Sequence, residues 1–242
     1  MSYGGSIINF ESTNVINIME IREESSEANC EYLKNKLCKL KSFFNLAFTS
    51  LSAEEKSLLE EKAIECYRKK KITFDDASLY VEEKNKKRFL SNKRFKTGKE
   101  MPILEDLYNL IKKEKTLKRI EILMKQYITG SLSFLNGYTN IDLSNKFIVA
   151  DIYSVPEENM AAVMFIITEI FWDKIKSVRT SKKIIYLDEV WRLIGKDKET
   201  AEFIFKMFKT IRKYGRRSNC NNSRYKWFFY LRRWKIWERN IK

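Results

Sequence analysis

Two short apolar runs that each end in acid constrain this chain more than anything else in it. They are FIVADI at 147–152 and KIIYLDE at 183–189. A run apolar at nearly every position, and too brief for a helix, reads as a strand buried on both faces. Between them lies a long apolar segment, MAAVMFIITEIFWDKI, within a helix expected over about 157–175. Ser154, Val155, Pro156 and Glu157 ahead of it have the form of a capping box with Pro inside. After the second run another helical pattern covers about 199–213. Strand, helix, strand, helix with buried strands implies a parallel sheet and right-handed crossovers. The expected fold class is α/β.

The first part of the chain has a different period. Residues 6–10, SIINF, form a short β-like run after Gly4 and Gly5, and VINIMEI at 15–21 follows, apolar at alternating positions as in a strand. An acidic linker, REESSEAN, follows. From about 30 to 48, Leu33, Leu37, Leu40, Phe43, Phe44 and Ala47 recur at helical steps. Ser52 with Glu55 makes an S-x-x-E box, which starts a second helix with Leu58, Leu59, Ala63, Ile64 and Tyr67 as its apolar stripe. Pro102 suits the first turn of a third helix that buries Leu104, Leu107, Leu110 and Ile111. A fourth carries Ile120, Leu123, Met124 and Tyr127 and closes at Gly130. These four segments read as an all-α insert. The expected division is 1–28 for the start of the core, 29–130 for the helical insertion, 131–215 for the rest of the core, and 216–242 for a basic tail.

Composition removes whole classes of chemistry. There is no His, so Ser–His–Asp and Cys–His nucleophiles and His-ligated metals are excluded. The four cysteines, Cys30, Cys38, Cys66 and Cys220, form no C-x-x-C pair and suit free thiols in a reducing compartment. No run of about 18 apolar residues exists to span a membrane. The N-terminus lacks the basic and apolar regions of a signal peptide. The expected location is the cytoplasm.

The formal net charge of +15 points to an anionic partner until its distribution is considered. Residues 206–242 hold thirteen Lys and Arg against the single acid Glu238, so most of the excess is C-terminal. A second basic run, KNKKRFLSNKRFKTGK at 84–99, is expected to be a solvated loop or ribbon.

KKIIYLDEVW at 182–191 has the form of a Walker B element, a strand delivering Asp-Glu to the crevice at the carboxyl end of a parallel sheet. Asp188 would hold Mg²⁺, directly or through water, and Glu189 would orient or deprotonate the attacking water. By itself the pattern fits equally well a strand that merely ends in acids. Its usual companion is a G-x-x-x-x-G-K-[ST] loop whose amides and Lys cradle phosphates. The chain contains no such loop: its only Gly-Lys pairs are Gly98-Lys99 and Gly195-Lys196, followed by Glu and Asp.

YLDEVWRLIG followed by TAEFIFKMFKTIRKYG resembles the Walker B region of the VirB/TraE-type ATPases of conjugative type IV secretion, part of the FtsK/HerA group of P-loop motors. The resemblance extends upstream through LKSFFNLAFTSLSAEEKSLLEEKAIECYRKKKITFDDASLY, MPILEDLYNLI, GSLSFLNGYTNIDLSNKFIVADI and MFIITEIFWDKI, over about residues 4–215. It implies an incomplete RecA-like parallel sheet with an all-α inserted subdomain. It also implies ATP and Mg²⁺ as cofactors, and a hexamer acting with other secretion components at the inner face of the cell membrane. By matching position Asp188 and Glu189 take the Walker B roles. Arg212 becomes a charge-stabilising or intersubunit arginine, beside the alternative of a solvated cation at a helix end.

Two departures accompany the likeness. The family's Walker A loop would lie before Met1, so the chain is expected to begin inside the motor. The likeness also stops after Gly215, where the family continues with a Gly-rich turn and a strand carrying Thr-Gln. Here RRSNCNNSRYKWFFYLRRWKIWERNIK follows, with three of the five Trp and no clear period. Reading AT-rich codons for that tail one nucleotide later gives GATAITQDISGFFILEDGKYGKGIL, close to what the family pattern requires. The tail is therefore expected to be out of frame. The alternatives are a non-enzymatic nucleic-acid binder that uses the basic, Trp-rich tail to contact DNA, and a subunit that docks on intact ATPases through its helical insert.

Overall fold

The structure is a computed structural model that describes residues 5–10, 14–22, 31–48, 50–81, 97–145, 147–177, 185–186 and 201–202. Strand β1 (Ser6–Asn9) pairs in parallel with β4 (Ile148–Asp151), in the register Ser6 to Ile148 and Asn9 to Asp151. The two are far apart in sequence, as a parallel pair requires, and the helices lie mostly between them. The α/β expectation holds, with two parallel strands among the described residues.

Helix α1 (Tyr32–Ala47) buries Leu33, Leu37, Leu40, Phe43 and Phe44, the stripe expected from the sequence. Helix α2 (Ala53–Lys69) starts at the expected box: Glu55 N donates to Ser52 Oγ at 3.1 Å, and Ser52 N donates to Glu55 Oε2 at 2.8 Å. The Glu55 carboxylate also takes both ends of the Arg119 guanidinium, at 3.1 and 2.9 Å, so one side chain caps α2 and ties it to α4 (Lys118–Ile128). Helix α3 (Leu104–Ile111) buries the four expected residues. Pro102 lies one residue before the Ile103 cap rather than in the first turn, because Asp106 accepts from Ile103 N and fixes the start there. Gly130 follows the Thr129 cap of α4, and any Cβ there would lie 2.7 Å from the Gln126 backbone. Phe43, Phe48 and Tyr127 meet edge to face, with Phe44 stacked on Phe48.

The basic run is held at its ends by an antiparallel ribbon, β2 (Tyr80–Val81) with β3 (Thr97–Gly98). Residues 82–96 lie outside the described residues. Helix α5 (Met160–Ser177) is entered through a short 3₁₀ turn, Glu157–Asn159, with Pro156 as the cap residue. It is buried almost all round, as a central core helix should be.

Two expectations are corrected. VINIMEI at 15–21 is no strand, because Asn17 breaks the alternation. Its Oδ1 accepts from Met19 N at 2.9 Å, folding a local turn, while its Nδ2 donates to the Pro102 carbonyl, also at 2.9 Å. Ile16, Ile18 and Met19 are all buried by that bend. The run at 147–152 is not buried on both faces: Ile148 and Ala150 pack against the core, whereas Phe147 and Val149 are exposed. Among the described residues helices cover only one side of the β1–β4 pair.

Candidate functional site

Asp188, Glu189 and Arg212 lie outside the described residues, as does the strand expected at 183–188 apart from Ile185 and Tyr186. Ile185 is 5% exposed and belongs to the main hydrophobic core, whereas Tyr186 is exposed. The stretch read as Walker B thus reaches the core it shares with β1 and α5 at Ile185, three residues before its first acid.

Ligands of open parallel sheets bind beyond the carboxyl ends of the strands. At that end Asn9 and Asp151 are register partners, both exposed. Each is held by a turn. Asn14 Nδ2 donates to the Asn9 carbonyl at 2.7 Å, and Tyr153 N donates to Asp151 Oδ1 at 3.0 Å. Beyond them Phe10 is buried and stacked on Phe134 with centroids 4.8 Å apart. The edge thus offers a carboxamide beside a carboxylate. Among the described residues no three acids or cysteines gather as a metal nest.

A second charged constellation sits where α1 meets α5. Lys36 Nζ lies 2.9 Å from Glu169 Oε1, and Lys39 Nζ bridges Glu169 at 3.3 Å and Asp173 at 3.1 Å. Next to it, Arg22 donates to Glu20 at 2.5 Å and to Thr139 at 3.2 Å, and Thr139 donates to Glu20 at 2.6 Å. Burial pushes the Glu169 carboxyl upward, but Lys36 and Lys39 together outweigh it and hold the group well below the usual carboxylate range. Burial likewise pushes the Lys36 ammonium down, with Glu169 opposing. Sequence reading missed this cluster. The available signal was spacing: Glu169 and Asp173 share one face of a largely apolar helix, as Lys36 and Lys39 do on theirs. The groups are saturated by one another, which makes them a joint between helices rather than a reaction centre.

A parallel strand pair with helices running between its members places the chain among the α/β proteins. The family model described as the TraG P-loop domain matches residues 68–220, and the chain belongs to that family. Its fold is similar to that of VirB4 of Thermoanaerobacter pseudethanolicus, with a TM-score of 0.69 and 24% identity over 87% of this chain. The chain spans 54% of that structure's length. No curated protein matches the sequence. Among the described residues no helix is long and apolar enough to cross a membrane.

Proposed function

We propose that this chain carries the Walker B half of a conjugative type IV secretion ATPase. The observation that carries the reading is the TraG P-loop match at 68–220, which takes in Asp188, Glu189 and Arg212 together. In it Asp188 binds Mg²⁺, Glu189 aligns and deprotonates the attacking water, and Arg212 stabilises charge on the transferred phosphoryl group or reaches a neighbouring subunit. ATP and Mg²⁺ are the cofactors. Its partners are a ring of like subunits, a hexamer, with other secretion components, at the cytoplasmic face of the cell membrane. Phosphoryl transfer depends on positioning, and the 242 residues contain no G-x-x-x-x-G-K-[ST] cradle. The purified chain should therefore show negligible ATP hydrolysis. Measured turnover that Glu189→Gln abolishes would refute the inactivity while confirming the residue roles.

The domain reading places 29–130 as the helical insertion and 131–215 as core. In its support, α1 to α4 pack each on the next in sequence, and α1 lies along α5. The tail at 216–242 reads as an out-of-frame segment. The family match ends at residue 220, five residues beyond Gly215, which supports a break there. Nucleotide sequencing tests it: a second forward frame should encode a Gly-Ala-Thr-Ala-Ile-Thr-Gln-like stretch beside the codons for Arg216 to Cys220. With no such frame, the tail becomes a DNA-contacting strip, whose binding should fall steeply with salt and vanish on deletion of 216–242.

A further inference from the structure

The turn between α3 and α4 and the outer side of α4 carry a concentration of positive charge that the nucleotide reading does not use. Residues 112–125 hold six Lys and Arg against two acids. Both acids are already engaged, Glu114 by Lys62 and Glu121 by Lys118, each at 2.6 Å, and Arg119 is held by Glu55 at 2.9 Å. Among the described residues Lys112, Lys113, Lys115 and Lys125 form no ion pair, and all four are exposed.

These lysines share one surface. Lys112 Nζ lies over the Tyr108 ring at the end of α3, 5.2 Å from its centroid. The 3₁₀ turn Lys115–Leu117 runs directly into α4, and Lys115, Lys118, Ile122 and Lys125 follow at steps of three and four residues along one face. The Lys118 hydrogen bond holds the Glu121 carboxyl below its usual range, and Lys125 and Lys112 act on it in the same direction, so lysines of both helices converge there. The opposite side of α4 faces the core through Ile120, Met124 and Tyr127. A helix start favours acids, so helix stability does not account for Lys115 and Lys118 at that end.

Ile122 decides the kind of partner. It is 58% exposed in the middle of the cationic face. Duplex phosphates are met by cations alone, and single strands by aromatic rings free to stack, whereas Tyr108 is covered by Lys112. An aliphatic side chain ringed by lysines suits the boundary between headgroups and acyl chains, where lysine stems reach the phosphates and an apolar group enters beneath them.

We propose that Lys112, Lys113, Lys115, Ile122 and Lys125 form a contact surface for an anionic lipid bilayer. The inference rests on the membrane location proposed above and gives it a surface, and it is independent of the roles of Asp188 and Glu189.

The probe is a vesicle of phosphatidylcholine with about one-third phosphatidylglycerol, sedimented with the full chain beside vesicles of phosphatidylcholine alone. The chain should partition onto the anionic vesicles only, and less as salt rises. Replacing Lys112, Lys113, Lys115 and Lys125 together by Gln should lower the partition about a hundredfold, and Ile122→Ser about tenfold. All five side chains are exposed, so both variants should keep the circular dichroism of the parent. Because the C-terminal stretch is also basic, the control replaces Arg216, Arg217, Arg224 and Lys226 by Gln. Equal losses from the control and the four-lysine variant would mean that the vesicle reads net charge alone, which overturns the surface. Undiminished binding by the four-lysine variant or by Ile122→Ser overturns it too, and leaves the membrane location standing. A parent chain that ignores anionic vesicles overturns both. Binding of a DNA duplex that the four-lysine variant loses while still holding vesicles would make nucleic acid the partner, which also overturns the proposal.

Discussion

Lys36 on α1 and Glu169 on α5 meet at 2.9 Å with side chains only 4% and 3% exposed, the most deeply buried ion pair among the described residues. Lys39 joins them at 3.3 Å and continues to Asp173. A buried pair contributes little net stability, but removing one member strands the other without water. Glu169→Gln should therefore cost about 3–5 kcal/mol in urea unfolding. Replacing both residues, Lys36→Met with Glu169→Leu, should recover most of that loss. A double variant as unstable as the sum of its singles would refute the pairing.

The same pair sets an acid limit. The folded-state pKa of Glu169 is depressed, so its contribution is complete above the unfolded-state carboxylate pKa and is lost as pH falls through the folded value. Unfolding midpoints measured downward from neutral pH should stay level until the usual carboxylate range and then drop. In the Lys36→Met, Glu169→Leu variant that drop should be shallower.

Ser52→Ala removes the hydroxyl that accepts from Glu55 N and should cost about 1 kcal/mol. Glu55→Ala should cost more, because it also releases Arg119 and separates α2 from α4. Equal losses from the two would show that the Arg119 contact contributes nothing.

Asn17→Leu should be worse than its size suggests. It leaves Met19 N and the Pro102 carbonyl without their partner in a buried turn, at about 1–3 kcal/mol for each stranded group. Amide hydrogen exchange at Met19 reads this directly, and unchanged protection there would count against the assignment.

Burial raises the Cys66 thiol to about 12, whereas Cys38 is exposed. Peptide mapping after brief alkylation at neutral pH should find Cys38 modified and Cys66 intact, with Cys66 reacting only in denaturant. Modification of both at similar rates would mean that α2 does not bury its inner face.

Local pattern was enough for the elements. Leu33 to Phe44, Leu104 to Ile111 and the Ser52–Glu55 box each announce themselves within a few residues, because helix periodicity and capping act over one or two turns. The apolar run at 147–152 marked a strand for the same reason. Other features depended on partners distant in the chain. Asn17 chose a turn over a strand because the Pro102 carbonyl stands where its amide can reach. Glu169 lies in an apolar helix only because Lys36, on another element, neutralises it. Ile7 and Ile8 are chemically identical neighbours, yet one is buried and the other stands in solvent. Composition cannot separate them, since the difference lies in which face of the sheet the helices cover.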